Sequence, residues 1–98
     1  MTWLRIKVQY FAAIREIVNQ REEILEVDQG TTVLDVLNVL AKNHGEKFRD
    51  YVFDPQTKAP RQYLQFLVNE ESVSSKNGLS TALADNSTIA IIPPVGGG

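Results

Sequence analysis

Three glycines, Gly96, Gly97 and Gly98, follow Pro93, Pro94 and Val95 at the end of the sequence, and this segment has the clearest capacity for chemistry. A run without side chains fits a channel only as wide as a backbone, where any Cβ would collide. The two prolines lack backbone donors and fix φ, so a strand that reaches Ile92 must stop and the chain must leave extended. Residues 93–98 can then span on the order of 20 Å and present the α-carboxylate of Gly98 at a distance from the body. On composition alone, such an end reads as a flexible tail. Its attachment through a rigid Pro-Pro pair to an apolar strand favours a presented, reactive carboxylate.

The other residue types exclude most alternatives. The 98 residues contain no cysteine, which removes disulfides, thiolate metal sites and a thiol nucleophile and suits a reducing, cytoplasmic setting. His44 is the sole imidazole and falls where a helix is expected to end, a place that favours a cation. A helix-end role therefore outweighs a catalytic one, and no metal site is expected. Glu22-Glu23 and Glu70-Glu71 are adjacent pairs. Neighbours on a strand point to opposite faces, so neither pair converges as acid and base, and both are expected to be solvated surface. No GxGxxG or P-loop pattern follows a strand. Ten Lys and Arg against twelve Asp and Glu give a net charge of −2, which offers no general attraction to nucleic acid or anionic lipid. Arg5, Lys7, Arg15 and Arg21 concentrate positive charge near the start and read as a solvated sheet face. Neither a signal peptide nor a membrane-spanning apolar stretch is expected.

The elements that must position the tail follow from hydrophobic spacing. The length, with 43% hydrophobic and 22% charged residues, predicts one folded domain over residues 1–92, followed by the extended tail 93–98. Leu4, Ile6, Val8 and Tyr10 alternate with Arg5, Lys7 and Gln9, the pattern of a half-buried strand. Phe11, Ile14 and Val18 predict a short helix, and Glu22–Val27 a second strand closing an elaborated hairpin. Val33, Val36, Leu37 and Leu40 form a helical stripe behind Thr31-Thr32 as N-cap, with Asn43-His44-Gly45 as the stop. From Glu46 to Gln62 the pattern decays, and 43–63 reads as a long loop. Leu64–Asn69 is a strand, followed by a turn and a short return strand around Val73. Thr88–Ile92 is apolar on both faces, which predicts an interior strand covered on both sides.

The ending Ile91-Ile92-Pro93-Pro94-Val95-Gly96-Gly97-Gly98 resembles the Pro-Pro-Val-x-Gly-Gly ending of the molybdopterin synthase small subunits, the MoaD-like and ThiS-like ubiquitin-like sulfur carriers. Ile6 to Glu16 is similar to that family's first strand and its Phe-Ala-x-x-Arg-Glu continuation. Thr32 to Leu37 is similar to its helix start, Val68-Asn69 to its third strand, and Asp85 to Ala90 to its lead into the last strand. The resemblance implies an α+β, β-grasp fold, a mixed four- to five-stranded sheet packed on one main helix. It also implies that an E1-like, ATP-using activating enzyme adenylates Gly98 and that sulfur transfer makes a thiocarboxylate. No cofactor would be bound by this chain itself. The sulfur would pass to cyclic pyranopterin monophosphate in the molybdopterin synthase large subunit, which would supply the catalytic side chains. By the same resemblance Gly96 and Gly97 thread the channel, Pro93, Pro94 and Val95 set the exit, and Phe11, Arg15 and Ile92 face the partners. For these last three, plain packing is an equal reading.

A second reading is a ubiquitin-like modifier, since an adenylated glycine can also acylate the amines of protein lysine targets. A thiazole-forming sulfur carrier ranks behind both, because such proteins are usually shorter and lack the Pro-Pro-Val ending.

Overall fold

The alternation read at the start becomes strand β1, Trp3–Tyr10, in the computed structural model, which describes residues 3–94. A short helix α1, Ala12–Val18, follows, and Asn19 ends it in the left-handed conformation. Strand β2, Glu22–Asp28, then returns antiparallel to β1. Helix α2, Val33–His44, begins at a reciprocal cap: the Asp35 N–H donates to Thr32 Oγ1 at 3.2 Å, and the Thr32 N–H donates to Asp35 Oδ2 at 3.0 Å. Its stripe of Val33, Val36, Leu37 and Leu40 is completely buried, each side chain contributing about 1.5–3 kcal/mol. Gly45, at φ +90°, ends the helix in a conformation that favours glycine.

Strand β3, Gln65–Val68, a two-residue strand β4, Glu71–Ser72, and strand β5, Thr88–Ile92, complete the sheet in the order β2-β1-β5-β3-β4. β1 and β5 are parallel and the other neighbours antiparallel. This is the expected β-grasp arrangement. Leu4, Ile6, Val8, Tyr10, Phe66, Val68, Ile89 and Ile91 share one core cluster with Ile14, Val36, Leu37, Leu40 and Phe48 from the helices. The helical layer thus covers a single face of the sheet.

Four expectations are corrected. The segment 43–63 is not a continuous loop: Glu46–Val52 is a helix, α3, packed against α1 and α2 with Phe48 and Val52 buried. The remainder is pinned by hydrogen bonds, with the Asp54 carboxylate accepting from the Gln56 N–H at 2.8 Å and the Arg61 guanidinium donating to Asp50 O at 2.8 Å. The return strand stops before Val73, which opens a 3₁₀ turn. β5 does lie inside the sheet, but an open groove rather than a covering layer lies over its second face among the described residues, where Ala90 sits between Gln9 and Leu67 of the neighbouring strands. Glu23 is not solvated surface but stands under the end of α2, bonded to His44.

Candidate docking face and tail exit

The sheet's open face and the end of β5 meet where the chain leaves the domain. Ile92 is half-buried, Pro93 is buried and Pro94 is exposed. The chain therefore leaves from the middle of the sheet, through two residues that cannot donate to a ladder. The roles expected of Val95, Gly96, Gly97 and Gly98 fall on residues outside those described.

Parallel pairing sets Gln9 beside Ala90 and Tyr10 beside Ile91. The next residues, Phe11 and Ile92, line one end of an open groove of about 490 Å³. Antiparallel pairing brings Leu67 against Ala90 to make an apolar floor. Thr88, Asn69 and Glu70 close the far end. Arg15, on α1, donates from Nε to Tyr10 O at 3.2 Å and holds its guanidinium carbon 5.8 Å from the Phe11 ring centre, within cation–π range. Phe11 and Ile92 thus share one groove, and Arg15 stacks on its aromatic wall. All three are half-exposed and stand apart from the buried core.

Backbone strain marks both ends of the groove. Ala12, immediately after Phe11, has φ +52°, and the β3–β4 turn places Asn69 at φ +51° and Glu70 at φ +72°. Non-glycine residues held there cost of order 1 kcal/mol or more and persist only where neighbours enforce them. At the far end the enforcing contacts are the Thr88 N–H donating to Asn69 Oδ1 and the Asn69 N–H donating to Thr88 O, both at 2.9 Å.

The groove floor escaped sequence reading although its signal was present. Ile92 stands among the expected partner-facing residues, but Ala90 reads as part of a β5 face hidden under a covering layer, and Leu67, on the face of β3 opposite Phe66 and Val68, is not singled out. Gln9, Thr88 and Asn69 supply neutral polar rims. Such a surface can hold an apolar partner and orient it by hydrogen bonds.

The titratable cluster lies on the other side of the sheet. Glu23 Oε1 accepts from the Tyr10 hydroxyl and from His44 Nε2–H, the latter at 2.5 Å. The His44 ring meets Tyr10 edge-on at 6.2 Å and packs on Phe48 at 5.7 Å. Burial, reinforced by the hydrogen bond to Glu23 and by its charge, pushes the Tyr10 phenol well above the ordinary tyrosine value. The cluster ties β1, β2 and α2 together beneath the helical layer.

Residues 8–98 match the model of the ThiS family. The chain is 30% identical over 95 residues to small archaeal modifier protein 3 of Haloferax volcanii, covering 97% of this chain and 100% of that protein. It is likewise 30% identical over 95 residues to the molybdopterin synthase sulfur carrier subunit of Chlamydomonas reinhardtii, with the same coverage of 97% and 100%. The crystal structure of SAMP1 from Haloferax volcanii superposes with a TM-score of 0.84 at 28% identity, covering 96% of this chain and 99% of that one.

Proposed function

Because the chain belongs to the ThiS family of ubiquitin-like sulfur carriers, we propose that it carries sulfur on the carboxylate of Gly98, as the small subunit of a molybdopterin synthase. An E1-like enzyme activates that carboxylate with ATP: a carboxylate oxygen attacks the α-phosphorus and pyrophosphate leaves. A sulfide-level sulfur nucleophile then attacks the acyl carbon of the adenylate, and the new C–S bond forms as the C–O bond to AMP breaks, leaving a thiocarboxylate. The ionised carboxylate is a poor electrophile, and adenylation supplies the leaving group it lacks. The thiocarboxylate sulfur is delivered to cyclic pyranopterin monophosphate within the large subunit. The proposed setting is the cytoplasm; among the described residues no helix is long and apolar enough to cross a membrane.

The observation that carries this reading is the family match, which runs from β1 through residue 98 and so includes the glycine segment. The fold is consistent with it. β5 delivers the chain from the centre of the sheet, beside a groove walled by Phe11 and Ile92 that could seat the activating enzyme and the large subunit in turn. Such docking fixes where the tail begins, and the short exit through Pro93 and Pro94 limits where the carboxylate can go.

A second reading, conjugation through Gly98 to protein lysines, is favoured by the similarity to small archaeal modifier protein 3, which spans that protein's full length. Intact mass and partner analysis of the protein isolated from its source separates the two. A species in which one oxygen is exchanged for sulfur, copurifying with a large subunit, supports the carrier. A ladder of lysine conjugates without cofactor synthesis supports the modifier and overturns the primary reading.

A further inference from the structure

Strand β2 forms an outer edge of the sheet, and its hydrogen-bond phase can be assigned. The Tyr10 N–H donates to Arg21 O at 2.9 Å on the β2 side of β1. On the other side, the Lys7 N–H donates to Ser87 O at 2.9 Å, and Arg5 O accepts from the Asn86 N–H at 2.8 Å. Even-numbered residues of β1 therefore bond to β2 and odd-numbered ones toward β5, as an antiparallel ladder alternates. Carried through the pairs Val8–Glu23, Ile6–Leu25 and Leu4–Val27, the ladder consumes the backbone groups of Glu23, Leu25 and Val27. It turns the N–H and C=O groups of Glu22, Ile24 and Glu26 outward.

The same two-residue period puts these three side chains together on the open face, opposite Gln9, Lys7 and Arg5. Ile24 is 49% exposed, between two exposed carboxylates. Glu22 has one loose ion pair, to Lys7 at 3.6 Å, and Glu26 has none among the described residues. The edge thus offers three donor–acceptor pairs, a central apolar contact and an acid on either side of it.

We propose that this edge binds an extended cationic segment of another protein as an added antiparallel strand, with an apolar residue opposite Ile24 and Lys or Arg two positions away on each side. Charge decides the occupant. A second copy of this chain, paired through the same groups about Ile24, would set Glu22 across from Glu26 twice, and like charges directly opposed are destabilising. A basic strand meets both carboxylates in cross-strand register. The site lies at the β2 edge rather than at the groove beside the tail, and it does not depend on what Gly98 carries.

The test is an NMR titration of the full chain with the capped peptide Thr-Lys-Thr-Val-Thr-Lys-Thr, and with its counterpart carrying Glu in place of both Lys. The Lys peptide is expected to shift the Glu22, Ile24 and Glu26 amides and slow their exchange. The Glu peptide should bind about tenfold more weakly, since two cross-strand charge pairs change sign. Glu22→Lys with Glu26→Lys should reverse the preference. Ile24→Pro removes a donor that the β1 ladder does not use, so it should keep the fold by circular dichroism and lose binding. If Ile24→Pro fails to fold, the charge-reversed variant carries the test alone. Shifts confined to Leu67 and Ala90, equal binding of the two peptides, no shifts at all, or dimerisation that protects β2 without peptide would each overturn the proposal.

Discussion

Asn69 and Thr88 hold each other through a reciprocal pair of hydrogen bonds, the Thr88 N–H to Asn69 Oδ1 and the Asn69 N–H to Thr88 O, both 2.9 Å long. This couples the β3–β4 turn to the start of β5 and fixes the far wall of the groove. Asn69 sits at φ +51°, which asparagine tolerates better than most side chains do. Asn69→Ala removes the side-chain acceptor and adds left-handed strain, so it should destabilise by about 1.5–2.5 kcal/mol. Asn69→Gly loses the same acceptor without the strain and should cost about 1 kcal/mol less than the alanine variant. Urea denaturation of both variants measures the difference; equal losses would show that the turn stores no strain.

Glu23 is the shared acceptor of a buried cluster, so its loss should exceed that of an ordinary surface acid. Glu23→Ala leaves the Tyr10 hydroxyl and His44 Nε2–H without their partner and is expected to cost about 2–4 kcal/mol. Adding Tyr10→Phe should recover part of that loss, because the phenol no longer needs an acceptor. A double-mutant cycle by chemical denaturation reads the coupling, and strict additivity would mean that the two groups do not act together.

Alkaline pH probes the same cluster. The buried Tyr10 phenol stays protonated in the fold well above 10.0, the ordinary tyrosine value, through desolvation first and then its hydrogen bond to Glu23 and that group's charge. In the unfolded chain it ionises near the ordinary value, so above that pH the folded state holds more protons and stability falls as pH rises. Below it, Tyr10 contributes no pH dependence. The expected slope from Tyr10 is about 1.4 kcal/mol per pH unit, and Tyr51, raised mainly by burial, adds in the same direction. Tyr10→Phe should flatten the curve above about pH 10. Identical slopes in the variant and the parent chain would assign the effect to other groups.

The sequence made the main helix legible because Val33, Val36, Leu37 and Leu40 repeat cleanly between a Thr cap and a Gly stop. The next helix was hidden by brevity: Phe48, Tyr51 and Val52 have helical spacing, but α3 spans seven residues, has no side-chain cap and shares Gly45 with the end of α2. Alternation correctly placed Glu22 and Glu23 on opposite faces. It could not show that His44, some twenty residues later, closes over one of them. The apolar second face of β5 was visible too, but an uncovered docking surface and a buried face present the same residues to a reader of the chain. The tail was conspicuous because Pro93 and Pro94 break a strand just before three glycines, a pattern that packing alone does not require.

The tail supplies the last prediction, which separates folding from transfer. The core is assembled from residues between Leu4 and Ile91, and Gly97 and Gly98 have no side chains to bury. Deleting both should therefore leave the unfolding free energy within about 0.5 kcal/mol of the parent chain while abolishing thiocarboxylate formation, read as the absence of the sulfur-exchanged mass after incubation with the activating enzyme, ATP and a sulfide source. Phe11→Ala should act differently. It opens the groove wall and removes the surface on which Arg15 stacks, so partner binding should weaken while the intact terminus remains chemically competent at high enzyme concentration. Cofactor synthesis that survives the glycine deletion would rule out the carboxylate as the site of transfer, whereas undiminished partner binding by the Phe11 variant would remove only the groove from the proposal.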